Sequence, residues 1–345
     1  MKADFKQTHI VNQWKNGSPL ISCRFDPSGK YVFSTAEDMT VQRWELATGK
    51  KTLLPATHDS WVRGLAFVDK GKLLVTGGFD GRLMWWDALA AKPDKPMKKL
   101  DAHDGWIRHL NVSMDGKTLA SCGNDHLVKL WNATDGKPIR TLSGHESHVY
   151  SVTFHSDGKH LLSGDLSGVV HQWEIATGKR VRTFDAKALH TYNGGQQVHY
   201  GGVRSISISP ENKYIACSGL YKATNPLGAV NEPIVLLFDW KTGKKVNSFV
   251  APGVRGIAWR TQFHPEGFLV TSSGGSGGGY LLFWKPGSDK VLHKLKLPNT
   301  ARDMDLHQDG IQVATIHHDR QIRICRMAVK AKPPVKKKQA VKKKK

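Results

Sequence analysis

Seven times along this 345-residue chain one pattern recurs: a tight turn with Gly or Asn, a short apolar run, a polar turn, and a strand closing on a large apolar residue. The clearest copy runs from His103 to Trp131, "HDGWIRHLNVSMDGKTLASCGNDHLVKLW". The closing residues are Trp44, Trp86, Trp131, Trp173, Phe238, Trp284 and Cys325, at steps of 42, 45, 42, 65, 46 and 41. Strands this short and this apolar do not stand alone, so each copy must be one unit that buries its faces against its neighbours.

Within a copy the signals are those of strands. In the second copy strand a reads "WVRGLAFV", strand b "KLLVTGG" and strand c "RLMWWD". Strands a and b are joined by turns such as Asp26-Pro27-Ser28-Gly29, Asp115-Gly116-Lys117 and Pro265-Glu266-Gly267, and strand c leaves through Thr48-Gly49-Lys50 or Asp135-Gly136-Lys137. Gly supplies the positive φ that such turns need. No long helical period competes. The expected fold is all-β: a seven-bladed β-propeller with four-stranded antiparallel blades.

Counted back from the closing residue, the copies carry His at −28, Ser or Thr at −10 and Asp at −6. His58, Thr76, Asp80 and Trp86 fit fully, as do His103, Ser121, Asp125 and Trp131. With these residues the chain resembles the WD-repeat propellers over residues 5–327, a family in which such a row hydrogen-bonds inside each blade. The fourth copy has His145, Ser163 and Trp173 but Ser167 for Asp; the first has Asn16 for His; the last has Thr315 and Asp319 but closes on Cys325. Copies five and six have lost most of the row. Buried polar atoms need partners, so the rows read as structural pins rather than catalytic or metal-binding groups. The resemblance further implies that "KQTHIVNQW" near the N-terminus pairs with "RQIRICRM" at the other end and closes the ring.

The ring accounts for residues 1–329, leaving a tail at 330–345. That tail holds nine lysines and no acid; subtracting them from the net charge of +22 still leaves +13 on the ring. With two prolines and almost no apolar content it is expected to be disordered. Lysine runs bind polyanions without reading sequence, so nonspecific nucleic-acid contact is one expectation and a solubilising tail the other. Cys23, Cys122, Cys217 and Cys325 show no metal-ligand spacing and read as buried free thiols of a reducing compartment. No apolar stretch suggests a membrane span or a signal core, so the expected location is cytoplasmic, or nuclear in a eukaryote.

The start of strand a should lie beside the central channel. Aligned there, the copies place Ile21, Arg63, Arg108, Tyr150, Arg204, Arg255 and Arg302 at one position, with Trp61, Trp106 and His148 two residues earlier on consecutive blades. Guanidinium matches carboxylate or phosphate with a planar fork and stacks on rings. Arg63, Arg108, Arg204, Arg255 and Arg302 are therefore the candidate anion contacts, with Trp61, Trp106 and Tyr150 for stacking. The competing reading makes these arginines struts between blades.

The long step before Phe238 contains two insertions, 185–202 ahead of strand a and 219–233 between strands b and c; in copy six "SSGGSGGGY" occupies the b–c position. The resemblance places these loops on the same face as the arginines. His190, Tyr192, His199, Tyr200 and Tyr221 are candidate loop contacts there. No cofactor or metal is expected: two histidines without a third ligand make no site, and no Lys-Ser/Thr follows the glycine run. No catalytic motif is legible, so the chain reads as a non-catalytic scaffold for an acidic or phosphorylated protein segment, a monomeric ring within a larger complex. The alternatives are a nucleic-acid- or ribosome-associated protein and, third, a propeller hydrolase.

Overall fold

The structure is a computed structural model that describes residues 2–55, 58–223 and 231–330. The tail beyond Lys330 and residues 224–230 of the fifth-copy loop fall outside it. Seven four-stranded antiparallel sheets are present. Their inner strands are Leu20–Phe25, Val62–Val68, Ile107–Val112, Val149–Phe154, Ser205–Ile208, Ile257–Phe263 and Ala301–Leu306. Each inner strand touches the next, and the last touches the first, so the blades close around a channel. The seventh blade takes its outer strand from the other end of the chain: Thr8–Lys15 pairs antiparallel with Gln321–Met327, Trp14 opposite Ile322 and Thr8 opposite Met327. Among the described residues no helix is long and apolar enough to cross a membrane.

Burial explains the composition of the strands. Each of the seven blade-to-blade interfaces holds one apolar cluster drawn from both neighbours, such as Phe33, Met84 and Trp86 between blades one and two. Another joins Leu20 and Trp44 of blade one to Ile316 and Ile324 of blade seven. Both faces of each sheet are covered, which is why the strands read as nearly continuous apolar runs.

The polar rows run through these apolar layers. In blade three Trp131 Nε1 donates to Ser121 Oγ at 2.9 Å, Ser121 meets His103 Nε2 at 2.6 Å, and His103 Nδ1 faces both Asp125 oxygens at 2.9 Å. Blade two repeats this with Trp86, Thr76, His58 and Asp80. Proton bookkeeping assigns Nδ1–H to the carboxylate and leaves Nε2 to accept from the hydroxyl. Burial lowers the His103 pKa, consistent with a neutral ring.

Where the row was expected to be broken, the structure finds substitutes. In blade four the partner of His145 is Asp165, at 2.8 Å, rather than anything at position 167. Asp165 sits at the end of its strand, opposite Val149, so its carboxylate reaches the same ring from another backbone position. In blade one Gln42 stands in for the missing histidine: Ser34 Oγ donates to Gln42 Oε1 at 2.7 Å, and Thr40 links Gln42 to Asp38. In blade seven His317 contacts Thr315 at 2.9 Å, and Asp319 is held by both terminal nitrogens of Arg323.

The glycine run of copy six is not an open loop. Leu269–Gly275 and Gly278–Trp284 pair to their ends, Gly274 opposite Gly279 and Gly275 opposite Gly278. The reason for glycine is space: a Cβ on Gly274 would lie 2.4 Å from Ala301 O, and one on Gly279 2.0 Å from Asn299 O. Backbone passes too close for any side chain. All four cysteines are free and buried.

Two outcomes follow. Deleting residues 1–14 removes most of the clasp strand and the stack of Trp14 on Trp44, whose rings lie 6.3 Å apart. It should lower the melting temperature by roughly 10 °C or more; an unchanged value in scanning calorimetry would refute the clasp. Burial also drops His171 and His317 from 6.5 to about 4. Between those values the unfolded chain binds protons the folded ring refuses, so stability should fall as pH drops from about 6.5 to about 4. Urea titrations at pH 7 and pH 5 read this directly.

Candidate partner-binding site at the mouth of the channel

A β-bulge recurs at the start of the inner strands. The register skips one residue at Ile21, Arg63, Arg108, Tyr150, Trp259 and Arg302. A bulged residue leaves the ladder, and its side chain is aimed away from the sheet. In blade five Arg204 holds the equivalent place, its N–H donating to Ser218 O at 2.8 Å. The expected ring is thus present, with one correction: the blade-six member is Trp259. Arg255 is exposed and lies before the strand Ile257–Phe263. "GVRGIAW" imitates "WVRGLAF" of blade two, and the strand register slides that likeness by four residues.

The signal that finds Trp259 was in the sequence. The a–b turns carry a residue with positive φ at Gly29, Gly71, Gly116, Gly158, Asn212, Gly267 and Gly310. Counting eight back from each gives the ring position in every blade, Trp259 included.

These side chains form an alternating stack of guanidinium and ring. Arg108 lies over Trp106 and Tyr150, both at 4.7 Å, and over Phe79 at 5.2 Å. Arg204 lies over Tyr150 at 4.5 Å and over Trp259 at 5.3 Å, and Arg63 over Trp259 at 5.6 Å. Trp259 itself donates from Nε1 to Gly274 O. The ladder spans blades two to six, and its members from blades two and six meet across the channel.

The arginines differ in how they are satisfied. Arg302 pairs with Glu37 at 2.5 Å, and Arg108 Nε donates to Asn124 Oδ1 at 2.8 Å. Among the described residues Arg63 and Arg204 meet no carboxylate within ion-pair distance, and Arg204 Nε is buried without a hydrogen bond. Burial drives the Arg63 pKa down to about 10, with the neighbouring arginines adding to the effect. A guanidinium desolvated between rings and lacking an acceptor is costly, and an incoming anion offsets that cost. Arg302 thus pairs across blades as a strut would, and Arg63 and Arg204 have no such carboxylate.

On the rim, Trp61 and Trp106 are 43% and 44% exposed. Phe79, which sequence reasoning missed, lies between them: stacked on Trp106 at 4.4 Å with planes 1° apart, and 6.2 Å from Trp61. The carbonyls of Trp61, Trp106 and His148 each accept the amide that follows strand b, at Phe79, Asn124 and Leu166, so the three rim residues are structurally equivalent.

The insertion ahead of blade five forms a hairpin, His190–Asn193 with Val198–Gly201. It brings His190 Nε2 to 2.8 Å from His199 Nδ1 and Tyr192 to 4.7 Å from the His199 ring. Tyr200 donates to Gln196. Tyr221 packs instead on the core shared by blades four and five. No group of three His, Cys, Asp or Glu with metal-binding geometry occurs among the described residues.

Comparison with known proteins bears on the same repeats. A family model described as "WD domain, G-beta repeat" matches residues 6–45, 50–87, 94–132 and 136–174. Those are the copies with the polar row, and the remaining three complete the same ring. The chain is a WD-repeat β-propeller. It is similar to the "WD40 repeat protein poxJ" of Penicillium oxalicum, 31% identical over 87 residues, 24% of this chain and 24% of that protein. It is also similar to the "Lissencephaly-1 homolog" of Caenorhabditis briggsae, 42% identical over 45 residues, 13% of this chain and 12% of that one. The matched stretches thus span a quarter or less of this chain and of either relative. Such membership is consistent with a non-catalytic scaffold that binds protein partners.

The propeller's mouth makes a stability prediction. Arg63→Met removes a desolvated, unpaired charge and should leave the melting temperature unchanged or raise it by about 2 °C. Trp259→Ala strips both flanking guanidiniums of their ring and should lower it by roughly 5 °C. The reverse order in differential scanning fluorimetry would make Arg63 a strut.

Proposed function

We propose that this WD-repeat propeller is a non-catalytic scaffold that captures an acidic or phosphorylated protein segment at the channel mouth. The observation that carries this reading is the pair Arg63 and Arg204: half-buried, stacked on Trp259 and, for Arg204, Tyr150, and without a carboxylate of their own. Preformed forks held by ring stacking lose little entropy when they close on an anion. Trp61, Phe79 and Trp106 offer an exposed apolar wall beside them, the kind of aromatic anchor on which interface energy concentrates. Arg108 and Tyr150 bridge the two, Arg302 extends the positive rim, and the hairpin of His190, Tyr192, His199 and Tyr200 gives that face an additional edge. Arg255, exposed near the same rim, makes at most a peripheral contact.

A labelled oligoglutamate and a phosphoserine peptide of the same length serve as probes. The double variant Arg63→Met/Arg204→Met should weaken binding by on the order of a hundredfold, the worth of two charge-assisted contacts. Equal affinity of parent and variant would remove the basis of the reading.

The nine lysines at 330–345 favour a second reading, nucleic-acid association through the tail. Truncation after Val329 should then flatten the salt dependence of binding to a random RNA oligomer, with the slope of log K against log salt falling by several units. A slope unchanged by truncation excludes the tail as the binding element.

A further inference from the structure

Below the ladder, at the waist of the channel, a second arrangement stands apart from the mouth. Arg24 of blade one and Arg260 of blade six converge on His109 of blade three, their terminal nitrogens 3.4 Å and 3.1 Å from His109 Nε2. His109 Nδ1 lies 3.0 Å from Val152 O, so its proton goes there and Nε2 accepts. Burial and the two guanidiniums hold the His109 pKa well below the ordinary value. The imidazole is therefore neutral and cancels none of their charge.

The carboxylate the two arginines share is Asp303, 2.9 Å from Arg24 but 3.8 Å from Arg260. Asp305 is occupied elsewhere, accepting from Phe25 N at 2.9 Å and from Gln262 at 3.0 Å. Arg260 Nε is buried with no hydrogen-bond partner. Counting the mouth as well, among the described residues the six arginines at positions 24, 63, 108, 204, 260 and 302 face three carboxylates, Asp303, Asp305 and Glu37. The channel is short of negative charge.

A cavity of about 210 Å³ opens beside this knot toward the a–b turns, walled by Arg24, Arg260, Asn111 and the apolar Phe25, Leu65 and Phe67. Asn111 Oδ1 accepts from Phe154 N at 2.8 Å, which fixes the amide and leaves Nδ2 as its donor. One tetrahedral anion with a few waters fits in this space.

We propose that this cavity is a small-anion site for a phosphate-class tetrahedral oxyanion, held by Arg24, Arg260 and Asn111 Nδ2. A dianion supplies the missing charge, and its several acceptor oxygens match donors that approach from three blades, where a monocarboxylate offers only two oxygens. Because the site ties blade six to blades one and three, its occupant braces the ring from within. It is distinct from the stack at the mouth, although Arg63 there shares the field of Asp303 and Arg24.

The probe is inorganic phosphate, titrated against the full-length chain at constant ionic strength with chloride as the balancing anion. Asn111→Asp is the informative variant: its carboxylate still accepts from Phe154 N, but it removes the donor and puts a negative charge on the wall. The parent should show a saturable rise in melting temperature with phosphate, and Asn111→Asp should weaken the apparent affinity at least about tenfold. Arg204→Met, at the mouth and in the field of Tyr150 and Arg108 rather than of Arg24 or Asp303, should keep the parent's titration. No saturable rise in the parent overturns the proposal. So does an unchanged titration in Asn111→Asp, which would place the anion on the lysine tail. Loss of the rise in Arg204→Met places it at the mouth and equally overturns it. Should Asn111→Asp not fold, Arg260→Gln takes its place, with the same weakening expected and an unchanged titration again overturning the proposal.

Discussion

Everything in this ring depends on hydrogen bonds between residues 8–15 and 321–327. Without them blade seven has three strands, the sheet edge at Gln321–Met327 is bare, and the interface between blades seven and one loses Trp14, which packs on that cluster. Each blade buries both faces only because the next blade is there, so one missing member exposes two interfaces. Ring closure turns seven small clusters, none sufficient alone, into one cooperative body.

The polar rows of blades two, three and four are satisfied, whereas not all arginines of the channel are. In blades two, three and four the indole, hydroxyl and imidazole of the row each have a partner, and Gln42 repairs the row in blade one. In the channel, guanidiniums outnumber carboxylates, and buried nitrogens of Arg204 and Arg260 lack acceptors. Unpaired buried charge does not arise from packing requirements; it is tolerated where an outside group supplies the counter-charge. That contrast is the physical ground for seeking the function of the protein along its axis.

The blades were legible because their signals are local: turn glycines, closing tryptophans and a fixed spacing. Seven sheets and the two full rows follow from those; the clasp is implied by the resemblance to WD-repeat propellers. Longer-range substitutions were not legible. Asp165 replaces a residue two positions further on, because a carboxylate at the strand end reaches the same ring. Arg255 aligns with Arg63 by the likeness of "VRGIAW" to "VRGLAF", but turns set strand register and letter likeness does not, so Trp259 takes the place. The glycines of copy six look like a loop in sequence; they are strand because neighbouring backbone leaves no room for Cβ. Arg24, His109 and Arg260 meet across the channel from three blades, and no single repeat carries a sign of it.

The recurrent bulge has a consequence for how such a surface changes. A residue that has stepped out of the ladder contributes little to pairing, so its identity is nearly free of the strand that bears it. Here the seven places read Ile21, Arg63, Arg108, Tyr150, Arg204, Trp259 and Arg302. They amount to a seven-letter word written around a fixed frame, in which letters are exchangeable one at a time. A gene duplicate can therefore drift to a new partner through single substitutions at this circle, while the scaffold beneath keeps its fold.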